Sequence, residues 1–178
     1  MHMTTFTNSG PDVDAAALEA FEVILGYPLP ADYRSFLDTT NGGIPHPNTV
    51  PEPSQGFVGV RWFLSLDVDN GEESLSAALE MWQGRYPAGL LPIAVCDGSN
   101  LLLMDATDVN QSQIYYWDHD GEADEGDGPR LDNLTRVAHS FSDLLNSLTH
   151  WDPRRDPRYA EIAGGSGTGD PDFKPEFD

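Results

Sequence analysis

Two clusters of carboxylates are the residues whose types and spacing most invite chemistry. The first is Asp67, Asp69, Glu72 and Glu73; the second is Asp118, Asp120, Glu122, Asp124, Glu125 and Asp127. Closely spaced carboxylates hold hard cations, and a calcium loop of the EF-hand kind needs Gly at its sixth position and Glu at its twelfth. Counted from Asp118, those positions hold Ala123 and Pro129; counted from Asp67, the glycine comes one residue early, at Gly71. Both clusters therefore read as solvated turns. No metal site and no cofactor are expected.

Nucleophiles are no better supplied. Cys96 lies in an apolar strand pattern, where a thiol packs as a small hydrophobe. As the single cysteine it forms neither an internal disulfide nor a cysteine zinc cage. His2, His46, His119, His139 and His150 contain no pair at helical metal-ligand spacing. There is no Gly-x-Ser-x-Gly elbow. The residues thus assign no catalytic group, and the chain reads as non-enzymatic. Tyr115, Tyr116 and Trp117 run directly into the second acidic cluster. On a strand Tyr115 and Trp117 share one face and Tyr116 takes the other, so Tyr116 or Trp117 is expected to offer a desolvated anchor beside the acids.

Charge sets the class of partner. Nine Lys/Arg face thirty Asp/Glu across 178 residues, a net charge of −21. Residues 1–150 carry 23 acids and five Arg, net −18; residues 151–178 carry seven acids and four bases, net −3. The acidity belongs to the folded part. A surface this negative repels phosphate backbones and anionic lipid, so neither nucleic acid nor membrane is an expected partner, and a cationic protein is. A salt-adapted host would give the same excess. No apolar run reaches the roughly 18 residues of a membrane span. Met1-His2-Met3-Thr4-Thr5-Phe6 lacks the basic and apolar regions of a signal peptide, so a cytoplasmic location is expected.

The elements that must position these residues follow from periodicity and stop signals. Val13 to Leu25 places Leu18, Phe21 and Leu25 on one helical face, with Asp12 as cap and Gly26 as stop. Pro30 opens a second helix to Thr40, with Tyr33, Phe36 and Leu37 inward and Asn41-Gly42-Gly43 as terminator. Residues 44–56, with four prolines, read as a surface loop. Phe57 to Leu66 alternates as a strand, with Val58, Val60, Trp62, Leu64 and Leu66 on one side. Ser74 caps a helix carrying Leu75, Ala78, Leu79 and Trp82. Leu91–Val95 and Leu101–Met104 form a hairpin about Asp97-Gly98-Ser99-Asn100, and Gln113–Trp117 adds a strand. Leu134, Val137, Ala138, Phe141, Leu145 and Leu148 predict a last helix capped by Asn133. Beyond Trp151, Pro and Gly dominate, as in a flexible tail.

One ordered set of dipeptides is more specific. Leu25-Gly26, Leu29-Pro30, Asp32-Tyr33, Phe36-Leu37 and Asn41-Gly42-Gly43 resemble the opening signature of the SUKH superfamily, which includes the yeast Smi/Knr-type cell-wall assembly regulator and many bacterial immunity proteins. Leu91-Pro92-Ile93-Ala94 leading to Asp97-Gly98, Ile114 to Asp118, and Ala138 through Leu145 resemble its later strands and final helix. The similarity runs from about Asp12 to Thr149. Where the family often has a second glycine after Asp-Gly, this chain has Ser99-Asn100.

The element order, with consecutive strands joined by short turns, predicts the α+β class: an antiparallel or mixed sheet of about four to six strands packed against N-terminal and C-terminal helices. The resemblance implies a binding module and not an enzyme. The expected organisation is one domain over 12–150 and a tail over 151–178. The expected function is a non-catalytic, cytosolic immunity protein that neutralises a basic toxin domain of the nuclease or deaminase type. The two acidic clusters, with Tyr116 and Trp117, are the candidate contact residues. A regulatory scaffold with several host partners and a carboxylate-metal enzyme are the competing readings.

Overall fold

The computed structural model describes residues 4–69, 71–107, 112–124 and 126–151. Among them, three helices form where their end signals lie. α1 (Ala15–Leu25) opens on Asp14, not Asp12. The Asp14 carboxylate accepts from the Ala17 amide at 2.8 Å, and Gly26 closes the helix at φ +81°. α2 (Ala31–Thr39) buries Tyr33, Phe36 and Leu37. The chain leaves it through Asn41, Gly42 and Gly43, all at positive φ. A Cβ on Gly42 would stand 2.2 Å from Ser65 Oγ and 2.8 Å from two backbone oxygens, so this turn admits only glycine. α3 (Leu75–Trp82) is capped by Ser74, whose hydroxyl accepts from the Ala77 amide at 3.2 Å.

The strands form two antiparallel sheets. β1 (Thr5–Thr7) pairs with β2 (Ile44–His46). The main sheet holds six strands in chain order: β3 (Thr49–Glu52), β4 (Gly56–Phe63), β5 (Leu90–Cys96), β6 (Leu101–Asp105), β7 (Ile114–Trp117) and β8 (Leu134–Ala138). With α4 (Phe141–Ser147) the class is α+β, as expected. The sheet curls until its edge strands β3 and β8 come within 8 Å at their Cα atoms. Thr49 and Thr149 then exchange two backbone hydrogen bonds, at 3.0 and 2.9 Å, which occupies the β3 edge. Curling and edge-pairing of this kind remove the free ladder groups that invite aggregation.

The middle of the sheet is covered on both faces. Leu101 to Met104 of β6 are all fully buried. Leu102 and Met104, with Ile114 and Tyr116 of β7, join the main core with Leu18, Phe36 and Phe141 of the helices. Leu101, Leu103 and Trp117 point the other way, into a second cluster with Tyr86 that Trp82 helps to close.

Three expectations are corrected. Residues 44–56 are not a surface loop: they form β2 and β3, and Val50 and Thr49 are buried. Pro45 and Pro51 sit in the terminal strands of their sheets, the positions where a missing N–H is tolerated. The single helix over 133–148 is a strand followed by a helix. Leu134–Ala138 pair with β7, Ile114 opposite Ala138 and Trp117 opposite Leu134, before Ser140 caps α4 by accepting from the Asp143 amide at 3.0 Å. The strand of 57–66 also breaks phase. A register shift between Val60 and Trp62 turns Phe63 into the core and leaves Trp62 half-exposed, its indole N–H donating to Glu72 O at 3.1 Å.

Candidate functional site

The second acidic cluster begins as an anchored structure rather than a free loop. Asn100, at the end of the β5–β6 turn, donates from Nδ2 to the Tyr116 hydroxyl at 2.6 Å. Its Oδ1 accepts from both the backbone N–H and the ring Nδ1 of His119, each at 2.9 Å. The preceding Ser99 stands at φ +64°, so the serine that replaces the family's frequent second glycine keeps the turn's left-handed geometry. From the other side Asn133, expected as a helix cap, instead donates from Nδ2 to Asp118 O at 2.9 Å. The His119 ring lies against Trp117 and Trp82, at centroid distances of 6.4 and 6.1 Å.

Arg85 fastens the next part. Its Nε donates to Glu122 Oε2 at 2.8 Å, its second nitrogen donates to Oε1, and its guanidinium lies 4.2 Å from the Trp82 ring centroid. The paired hydrogen bonds hold the Glu122 carboxyl below its ordinary range and raise the Arg85 guanidinium. Beyond this clamp Asp124 and Asp127 project into solvent, as does Asp120 before it. Exposed ion pairs contribute ~0.2–1 kcal/mol. Arg85→Met is therefore expected to change global stability by less than about 1 kcal/mol, while amide exchange over 119–124 accelerates several-fold. The sign with pH follows from the lowered Glu122 value: its contribution is complete above the ordinary carboxylate range and disappears as pH falls through the lowered one. Acidification of the wild type should reproduce the variant's exchange pattern once intrinsic rates are removed. Unchanged exchange in Arg85→Met would mean that the clamp holds nothing.

The first cluster sits at the opposite end of α3. Asp67, Asp69, Glu72 and Glu73 are all exposed, immediately before the Ser74 cap. Their backbone is pinned to the sheet, because Ser65 N–H donates to Glu73 O at 2.7 Å and Leu75 N–H to Ser65 O at 2.9 Å. Carboxylates ahead of a helix start are favoured by its dipole, which lets them crowd there at little cost.

One face joins the two clusters. Between α1 and α3, a depression of about 340 Å³ is lined by Asp67 and Asp69 and extends to Ile24 and Glu80. Ile24 and Glu80 also line an apolar groove of about 840 Å³ that continues over Leu25, Leu79, Tyr86 and Leu90 to Pro129 and Leu131. Gln83, Gly84 and Pro129 are then shared with a third depression, of about 350 Å³, walled by Arg85, Glu122, Asp124 and Asp127. Five of the sequence-selected acids, Asp67 and Asp69 on one side and Glu122, Asp124 and Asp127 on the other, thus stand at the two ends of one apolar groove. Ile24 and Leu131, 76% and 72% exposed, were not recognised from sequence. The signal for Ile24 was present: it lies beside the buried α1 stripe with no covering element predicted.

Other candidates fare differently. Tyr116 is 4% exposed and Trp117 fully buried, so neither offers surface to a partner; the second cluster and the main core cover the two faces between them. Glu125 lies outside the described residues, as does the tail from 152 onward. Cys96 is buried, and that burial pushes its thiol well up, away from thiolate chemistry. Among the described residues no group of three or more His, Cys, Asp or Glu is arranged to hold a metal ion. No helix among them is long and apolar enough to cross a membrane.

Comparison with known proteins agrees with this architecture. The SPbeta prophage-derived uncharacterized protein YokK of Bacillus subtilis (strain 168) is 24% identical over 147 residues, covering 74% of this chain and 72% of that protein. Residues 12–147 match the family described as SMI1 / KNR4 family (SUKH-1). That span takes in α1 through α4 and every strand of the main sheet. The chain belongs to the SMI1 / KNR4 family (SUKH-1).

Proposed function

We propose that this protein is a non-catalytic, cytoplasmic immunity protein that binds a cationic toxin domain, of the nuclease or deaminase type, and blocks it. The observation that carries the reading is the pairing of a net charge of −18 over residues 1–150 with acids gathered at both ends of one apolar groove. Enzymes that act on nucleic acids present basic substrate surfaces, and an acidic protein both complements such a surface and is steered onto it. A prophage-derived relative is in keeping with a role in competition between cells.

Two experiments test it. Capture from the native organism followed by mass spectrometry is expected to return a basic protein encoded beside this gene; several unrelated host proteins and no toxin would favour a regulatory scaffold instead. With that partner in hand, replacing the exposed Asp120, Asp124 and Asp127 by Asn should slow association about tenfold at low salt and flatten its salt dependence. An association rate that does not change at low salt would refute the assignment of these acids.

A further inference from the structure

We infer that the groove between α1 and α3 receives a single amphipathic helix of the cationic partner. The apolar stripe of that helix would lie on Ile24, Leu79 and Leu131. Its basic ends would face Asp67 and Asp69 on one side and Asp124 and Asp127 on the other. This rests on the cationic-partner reading above and specifies its contact.

Three observations select this occupant. The floor is apolar and uncovered: Ile24 and Leu131 are 76% and 72% exposed, and an apolar patch rimmed by charge marks an interaction surface. Both ends of the groove are acidic, so the charge pattern asks for cation, apolar stripe, cation in that order. One side of the groove is formed by the ends of α1 and α3 and the rest by the connection from α3 to β5 and by Pro129 and Leu131, and the main sheet keeps its two edge strands against each other, so an added strand has no ladder to join here. α3 has eight residues, about 12 Å of axis, so a partner helix of roughly three turns spans it and reaches the acids beyond each end. A second copy of this chain is the poorer fit, because it brings a charge of −21 to a surface already negative.

The test uses the full chain and a synthetic helix-forming peptide of Leu, Ala and Arg. Leu follows i, i+3, i+4, i+7 spacing and Arg is confined to the two ends; a scrambled peptide of the same composition is the reference. By calorimetry at physiological ionic strength the patterned peptide is expected to bind at least tenfold more tightly than the scramble. Ile24→Asp with Leu131→Asp should erase that difference, since each apolar anchor supports roughly tenfold in affinity. Val23→Asp, at a position 80% exposed on α1 but outside the groove lining, should leave it intact. These side chains are exposed, so the fold survives each change, and circular dichroism verifies it. Equal binding of the two peptides, or a preference that survives the double variant, overturns the inference. So does a dimer in sedimentation that the double variant dissociates, which would give the groove to a second copy. The captured native partner separates the two levels. If it binds wild type and double variant alike, the groove assignment falls while the immunity reading stands; if no cationic protein is captured, the immunity reading falls.

Discussion

Asn41→Ala should lower the free energy of unfolding by about 3–6 kcal/mol, the largest loss expected from any polar substitution in this chain. Asn41 is 2% exposed and its side chain is fully engaged. Nδ2 donates to Pro11 O and Leu66 O, and Oδ1 accepts from Leu66 N–H, all at 2.8 Å. These bonds tie the segment before α1, the end of α2 and the stretch after β4 into one knot. Alanine leaves the buried N–H and C=O of Leu66 without partners, at about 1–3 kcal/mol each before any water enters, and releases the part-buried Pro11 carbonyl. It also places a Cβ residue at φ +52° without asparagine's tolerance for that region. Asn41→Gly separates the two effects, since it relieves the backbone and keeps the unpaired groups; it should recover only about 1 kcal/mol relative to Ala. Urea denaturation with an unchanged slope is the measurement. A loss under about 1 kcal/mol for Asn41→Ala would show that water replaces the amide. The same geometry explains why Asn-Gly-Gly stands as a unit: Asn41 makes the knot, and Gly42 lets the Phe63–Ser65 backbone pass against it.

The second large effect lies in the aromatic centre of the core. Phe141, 1% exposed, is the first residue of α4. Its ring meets Tyr33 at 5.0 Å, Phe36 at 4.9 Å and Phe63 at 5.8 Å. It therefore joins α4 to α2 and to β4 in one contact set. Truncation to Ala is expected to destabilise by about 3–5 kcal/mol, through lost burial and the cavity left behind. Phe141→Leu, which keeps most of the volume, should lose less than about 1.5 kcal/mol. Combining Phe141→Leu with Phe36→Leu should depart from additivity, because the two rings share a contact. Equal losses for Phe141→Ala and Phe141→Leu would show that the site collapses around the smaller side chain. Measurement by denaturant titration also checks α4 itself. With only seven residues it cannot stand alone in water, so its helicity should disappear in step with the tertiary signal.

How far the fold was legible depended on whether its signals were local. α1, α2 and α3 were readable because a cap, a spacing and a stop all fall within one or two turns of the element itself. The β5–β6 hairpin was readable for the same reason: Asp97-Gly98-Ser99-Asn100 supplies its own left-handed residues at Gly98 and Ser99. Residues 134–148 were not. Leu134, Val137, Ala138 and Phe141 satisfy helical spacing, and the same stretch satisfies strand pairing with β7. The Ser140 cap with Asp143 three residues on was the local clue that the helix begins only there.

By itself the sequence determined the quantities that add up along a chain: the net charge, the family signature and the helices that close on their own caps. It also located the two acidic clusters. Tertiary structure alone decided where those acids stand relative to one another. It moved Tyr116 and Trp117 inside, because strand alternation tells which face a side chain takes but not whether that face is covered. It made β2 and β3 from a proline-rich stretch, because pairing partners lie tens of residues away. And it set Asp67 and Asp69 at one end of α3 and Asp124 and Asp127 near the other, with Ile24 and Leu131 between them, because a groove is a property of surfaces that meet only after folding.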